Sequence, residues 1–492
     1  MPTLIGIVRY ARIYVVGHDS KDLLKRARLK MGLRLRQLRR TLRSRAFLAQ
    51  HVVELKVPQL QSDHEPMSSD WVNLVASVVM ACPNLERLTG CYPTYGHKYD
   101  RLVYALSTRR QLKQHLWLIG ENSAIALRSQ KQLAPGLMDQ AQKNMFAGFH
   151  DMWSSLTTLL LHSPNQGILE KDVFVKLRDD ADPRNIRGPS ILQRLPSLQH
   201  LCISNFDMDD FDDNTLQHLP PLQSLRLQDL EGVTFWGLSE FSRKRNASGI
   251  RSLALVNMDV LYISAISKLL VRLKNLRKFT LVQDTSPEVP PGEIVMQPIV
   301  ASPLLEFLHW DILVPGSAND NLVAAIREGG FPRLRTIRAP SDHYGLIQAL
   351  CKPRAQIELA SDWSAQGIAA GIAPGGLRAA RRAAQQRLED AWMTVQYKVV
   401  VQEDAVVNEI FDFNGFMGTV GSIIEYSLEP DVPGSDHALI DFEDIARSEE
   451  QGVNGPMTGC DGSWNSKHPA GTRWWSHRER PRWRKLDLSS FF

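Results

Sequence analysis

The sequence is short of the features that carry most enzyme and membrane chemistry. Its 492 residues hold five cysteines (Cys82, Cys91, Cys202, Cys351 and Cys460) and no CxxC pair. An odd number without close spacing argues against a zinc knuckle or a complete disulfide framework, so a reducing compartment, cytoplasmic or nuclear, is the expectation. There is no Walker A loop, no GxGxxG after a strand, no HExxH and no GxSxG, which removes the usual phosphate, dinucleotide, zinc-hydrolase and serine-hydrolase sites. No apolar run approaches transmembrane length, and the opening Met1 to Val16 is broken by Arg9 and Arg12, which leaves no proper apolar stretch for a secretory signal. No membrane, metal or cofactor is therefore expected.

What the chain does have is one short phrase, repeated. It reads apolar, two variable residues, apolar, one variable residue, apolar. Six copies run through the middle: Leu198-Leu201-Ile203, Leu222-Leu225-Leu227, Ile250-Leu253-Leu255, Leu276-Phe279-Leu281, Leu305-Leu308-Trp310 and Leu334-Ile337-Ala339. Their starts lie 24, 28, 26, 29 and 29 residues apart, in or at the edge of the leucine-rich-repeat range. Weaker copies open at Val52-Leu55-Val57, Leu85-Leu88 and Leu156-Leu159-Leu161, with Leu112 to Ile119 as a further strand. Helical stretches such as Trp71 to Ala81 and Leu261 to Leu273 lie between phrases. The fold class expected is α/β: an irregular leucine-rich-repeat solenoid, a horseshoe with strands on its concave side and helices behind.

Strand alternation sorts the residues of each phrase. Leu201 and Ile203 face the core, whereas Cys202, Arg226, Ala254, Thr280, His309 and Arg338 form a central row on the concave surface. With Lys278 and Asp311 nearby, that row makes a mildly basic face suited to acidic peptides or to an acidic tail. Arg226, Lys278, Thr280, His309, Asp311 and Arg338 are the candidate partner-binding residues, taken as surface positions whose replacement costs the fold little. His309 beside Asp311 has no Ser or Cys nucleophile placed with it, and His97 and His115 have no ligands at metal spacing, so no catalytic or metal-binding residue is assigned. Two residues past the last apolar position stand Asn205, Asp229, Asn257 and Gln283. Alternation turns these inward, where loop backbone must satisfy them.

The flanks differ in charge. The net charge is only +5, yet Lys21 to Arg45 holds eleven Lys or Arg and one acid, whereas Lys398 to Glu450 holds thirteen acids against Lys398 and Arg447. Leu24, Ala27, Met31, Leu35, Leu38 and Leu42 space a helix through the basic segment. No aromatic residues are interleaved there, so nucleic acid is not expected as a partner, and the helix reads as a solvated face packed on the first repeat. The organisation expected is a basic helical region over 1–50, the solenoid over 51–360 and a linker and helix over 361–397. An acidic, then Trp/Arg-rich extension over 398–492 is partly disordered, notably Gln451 to Thr472. Ile357 and Leu359 supply a last capping strand. The aromatic end, with Trp474, Trp475, Trp483, Phe491 and Phe492, is read as a strap packed back on the body, the alternative being a free docking peptide.

Four stretches carry a resemblance: "LRQLRRTLRSRAFLAQHVVELKVP" (Leu35 to Pro58), "ACPNLERLTG" (Ala81 to Gly90), "SPLLEFLHWDIL" (Ser302 to Leu313) and "FPRLRTIRAPSDHYGLIQALCKP" (Phe331 to Pro353). With the terminal "RERPRWRKLDLSSFF", they look like filamentous-fungal F-box proteins with leucine-rich repeats. The resemblance implies a non-enzymatic substrate-recognition subunit of a Skp-cullin-F-box type ubiquitin ligase, its repeats holding a protein substrate. Such an F-box opens with a Leu-Pro pair and about forty residues of helices, whereas only Met1 to Asp19 precede the basic helix here. Binding to the Skp adaptor is therefore expected only if an F-box lies upstream. The alternatives are a nucleic-acid-binding regulator acting through the basic helix and a repeat scaffold that regulates an enzyme.

Overall fold

A computed structural model describes residues 11–15, 32–57, 69–92, 94–120, 140–164, 167–178, 186–187, 190–290, 298–359, 362, 376–394, 396–414, 416–432, 435, 437–442, 444–445 and 487–492. It is a mixed α/β structure built around a large parallel sheet. Along the chain the strands are β1 (Arg12–Tyr14), β2 (Glu54–Lys56), β3 (Arg87–Thr89), β4 (Thr94–Tyr95), β5 (Gln114–Ile119), β6 (Thr158–His162), β7 (Leu177–Arg178) and β8 (Ile186–Arg187). There follow β9 (His200–Ser204), β10 (Ser224–Gln228), β11 (Ser252–Val256), β12 (Lys278–Gln283), β13 (Phe307–Ile312), β14 (Thr336–Arg338), β15 (Gln396–Glu403), β16 (Val406–Asn414) and β17 (Glu425–Tyr426).

Ten of these form one sheet in the order β17-β14-β13-β12-β11-β10-β9-β6-β5-β4, and β1, β2 and β3 form a smaller parallel sheet. The short hairpins β7–β8 and β15–β16 stand apart from both. In the large sheet the repeated phrase sits in register with itself. Leu201, Leu225, Leu253, Phe279, Leu308 and Ile337 pair strand to strand, and Ile203, Leu227, Leu255, Leu281 and Trp310 form a second row. Both rows are buried. Each such leucine contributes about 1.5–3 kcal/mol by leaving water, and stacking identical rows places every one against its neighbours.

Helices return the chain between strands. Ile263–Arg272 falls within the helical stretch expected there, Ser69–Val79 starts and ends two residues before the expected Trp71 to Ala81, and Leu377–Thr394 is a helix past the repeats. Asp100, Asp212 and Thr234 cap the helices that follow them, accepting hydrogen bonds from first-turn backbone N–H groups.

Two expectations fail for physical reasons. Asn205, Asp229 and Asn257 have φ of 60°, 51° and 51°, a left-handed conformation that Asn and Asp tolerate better than other non-glycine residues. Alternation stops at that turn. The three are not buried, and Asn257 Nδ2 donates to Asp229 Oδ1 at 2.9 Å along the row. The turn instead sends Phe206, Leu230 and Met258 inward, all buried. Gln283 alone behaves as expected: buried, it donates from Nε2 to Val260 O at 3.1 Å and accepts from Val260 N–H at 3.2 Å.

The second failure is the capping strand. Ile357 and Leu359 lie in a loop, and the place beside β14 is taken by β17, which pairs Glu425 with Thr336 and Tyr426 with Ile337. Tyr426 is 2 % exposed and donates its hydroxyl to Ala339 O at 2.8 Å. The basic helix is described over Leu33–Ser44, with Leu35 and Leu42 buried. Its earlier turns, the segment Gln451 to Thr472, and Trp474, Trp475 and Trp483 lie outside the described residues.

Candidate interaction face

The strand residues that alternate away from the helices form one continuous face of the large sheet. Register places Leu116 of β5 beside Leu160 of β6, and Leu160 beside Cys202 of β9. From there the row continues through Arg226, Ala254, Thr280, His309 and Arg338. This is the row read from the sequence, extended by two apolar members at the start. It changes character at Arg226.

The face is covered by the chain's own C-terminal residues. Over the apolar start, Leu116, Leu160, Cys202 and Tyr92 pack in one cluster with Ile440, Ile445, Leu488 and Phe491, and with Val432, Phe442 and Phe492 at its margin. The Phe442 ring stacks on His162 at 3.9 Å with 5° between planes, and Phe492 meets His200 at 5.5 Å. Asp487 pairs with Arg87 at 3.3 Å and so pins the last turn to β3.

Over the basic half the cover is polar. Arg226 is 2 % exposed, donates from Nη1 to Ile440 O at 2.8 Å and from Nη2 to Gln228 Oε1 at 2.7 Å, and lies 5.1 Å from the Phe491 ring centre. Arg338 donates from Nη1 to Asp431 Oδ1 at 2.9 Å and to Ala438 O at 2.8 Å. Glu425 pairs with Lys352 at the sheet's edge. Two guanidiniums thus hold a folded-back loop, closed by Asp431 N–H donating to Ala438 O at 3.1 Å, through its carbonyls and one carboxylate.

The six candidate residues are brought together, but not as a solvent-facing surface. Arg226, Thr280, His309 and Arg338 are buried, and Lys278 and Asp311 are half-buried. Lys278 and Arg338 both sit over the Phe307 ring, at 5.5 and 5.4 Å. Burial lowers the pKa of Lys278, with Asp431 opposing and Arg338 and Arg226 adding to the fall. Burial likewise lowers that of Arg226, against the pull of Cys202, Asp431, Asp441 and Asp229. His309 lies 4.0 Å from Asp311 Oδ2, and the carboxylate also accepts Ser341 Oγ–H at 2.6 Å. Burial, then Arg338, Lys278 and Arg226, push His309 well below its ordinary pKa, so the ring is neutral.

Among the described residues, both ring nitrogens of His309 and the Nε atoms of Arg226 and Arg338 have no hydrogen-bond partner. Buried polar groups in such clusters are commonly served by ordered water. His97 and His115 are buried, their pKa values lowered to about 4 and about 3 chiefly by burial. Among the described residues no three His, Cys, Asp or Glu side chains gather as metal ligands, and no helix is long and apolar enough to cross a membrane.

Sequence reading missed Asp431, Ile440, Phe442 and Leu488 as members of this face. The acidic run and the terminal aromatics were the available signal, but neither says where on the ladder they land. No protein-family model and no curated protein matches the chain. Among solved structures it is similar to a chain of the crystal structure of the Rad7 and Elc1 complex in yeast, at 15% identity over 61% of this chain and 72% of that one, with a TM-score of 0.32. Nothing about function rests on a likeness so distant.

Proposed function

We propose that this chain is a non-enzymatic protein-interaction module. Its sheet is read as an irregular leucine-rich-repeat horseshoe, and its role as substrate recognition for a Skp-cullin-F-box type ubiquitin ligase. The observation that carries the interaction reading is the covered face. It holds the chain's own later residues by strand addition of Glu425–Tyr426 at β14, by carbonyl capture at Arg226 and Arg338, by an ion pair with Asp431 and by an apolar cluster. These are the devices by which domains hold foreign peptides. The horseshoe reading is supported by parallel strands stacked largely in chain order at intervals of 24–29 residues through the clear repeats. The ligase reading is supported by the phrases that resemble fungal F-box proteins.

The test has two arms. The 492-residue chain and a version extended upstream are each mixed with a purified Skp-type adaptor and run on a sizing column; co-elution of either supports the ligase role, and separate peaks for both count against it. Protein partners cross-linked to the chain are then challenged with a synthetic peptide of residues 424–445. Loss of the cross-link places the partner on the covered face, whereas retention places it elsewhere on the molecule.

A further inference from the structure

The basic helix meets, in three dimensions, the aromatic residues its own sequence lacks. Arg36, Arg39 and Arg43 follow the i, i+3, i+7 spacing of one helix face. They line a groove of about 630 Å³ whose floor is the helix Ser69–Val79 and whose far side carries Tyr99, Arg101 and Tyr104. Tyr99 is 63% exposed and Tyr104 46%, with ring centres 5.9 Å apart and planes at 44°. Asp70 is the one carboxylate among the lining residues, against four arginines. Arg43 donates to Ser77 Oγ at 2.7 Å, which anchors that guanidinium at the groove. Among the described residues, Arg36, Arg39 and Arg101 make no ion pair.

We propose that this groove binds single-stranded nucleic acid, with the arginine side tracking phosphates and the two tyrosines stacking unpaired bases. Each half of the arrangement has its chemistry. Guanidinium forks suit phosphate oxygens, two parallel N–H groups to two oxygens. Exposed aromatic rings offer stacking that tolerates any base. An acidic peptide satisfies the arginines equally well but gives the tyrosines nothing to stack against. A duplex keeps its bases paired and offers the rings no face. The absence of aromatics within Lys21 to Arg45 argued against nucleic acid on sequence alone; Tyr99 and Tyr104, from a loop and helix more than fifty residues on, remove that argument.

The test uses the full chain and labelled oligodeoxythymidylate and oligodeoxyadenylate of about ten nucleotides, followed by fluorescence anisotropy from 50 to 200 mM salt. Saturable binding is expected, with log affinity falling against log salt by about 0.7 per phosphate contacted. Arg36→Ala with Arg39→Ala flattens that slope by about 1.4. Tyr99→Ala and Tyr104→Ala each weaken binding by about five- to a hundredfold at unchanged slope, and Tyr104→Phe retains it. All these side chains are at least partly exposed, so thermal unfolding is expected to stay close to that of the parent and to certify the fold. No binding to either oligonucleotide overturns the proposal. So does binding that ignores both tyrosine changes, or a polyglutamate or phosphorylated peptide that binds more tightly than the oligonucleotide.

Discussion

The two halves of the covered face solve one problem by opposite means. From β5 to β9 the sheet offers Leu116, Leu160 and Cys202, and the C-terminal residues answer with Ile440, Ile445, Leu488 and Phe491. From β10 to β14 it offers Arg226, Lys278, His309 and Arg338, and the answer is Asp431 with two backbone carbonyls. The apolar half draws on area removed from water and places few demands on geometry. The basic half has already lost the hydration of its cations, so each missing partner there costs more than the contact itself contributes. The first half is therefore expected to supply adhesion and the second to fix position.

The largest expected effect bears on the platform both halves share. Leu225→Asp places a carboxylate without a partner between stacked strands, and a loss of about 4 kcal/mol or more is expected, read as loss of the cooperative thermal transition. Retained stability in that variant would contradict the register described. Next comes Asp431→Asn, which strips Arg338 of its counter-charge; about 2–3 kcal/mol is expected from urea unfolding, discounted for the partial exposure of Asp431. Because the covered arginines are buried, Arg226→Glu and Arg338→Glu are expected to destabilise the fold, contrary to the surface positions read from the sequence.

Phe491→Ala on the apolar side is expected to cost less, about 2 kcal/mol, since the single short turn Leu488–Phe491 peels locally instead of unfolding the whole. Native-state proteolysis of the last residues reads that peeling directly. The comparison sharpens if sulfate slows trimming in this variant, as stronger apolar burial requires, while leaving Asp431→Asn unimproved. Trimming at the parent rate would remove the adhesive role from the apolar half.

The smallest effect is with pH. His162, stacked on Phe442, has its pKa lowered to about 4, mainly by burial. A histidine depressed in the fold takes up its proton more readily when unfolded. Stability is therefore full above the ordinary value near 6.5 and falls as pH drops toward 4. At pH 5 these two values correspond to about 2 kcal/mol at most, and solvent screening of the part-exposed ring reduces the expected loss to about 1 kcal/mol, with His309 acting in the same direction. His162→Gln should flatten the acid limb of a stability–pH curve.

The inner face of the ladder was legible in the sequence because burial repeats there. Leu201 through Ile337 recur at fixed places in the phrase, and the strands pair as the phrase aligns. The row on the opposite face of the sheet was legible for the same reason, one residue over. What escaped depended on single backbone states or on distance along the chain. The left-handed turns at Asn205, Asp229 and Asn257 reset the alternation, and nothing in hydrophobic spacing announces them. A two-residue strand such as β17 has no period to detect. Asp431 and Phe491 meet residues far earlier in the chain, and the groove beside Arg36 needs Tyr99 and Tyr104 from another element.

The cover also sets an order of events during synthesis. Arg87 and Asp487 are 400 residues apart, and every strand of the large sheet from β4 to β14 is made before any of the C-terminal residues that shield their common face. The 154 residues from Ala339 to Phe492, at about 5–20 residues per second, take roughly 8–30 s to translate. During that interval the sheet is able to stack while Leu116, Leu160 and Cys202 stand open to water. A nascent chain with a bare apolar strip and a bare cationic strip side by side is a ready client for chaperones, and the last turn, Leu488–Phe491, closes it.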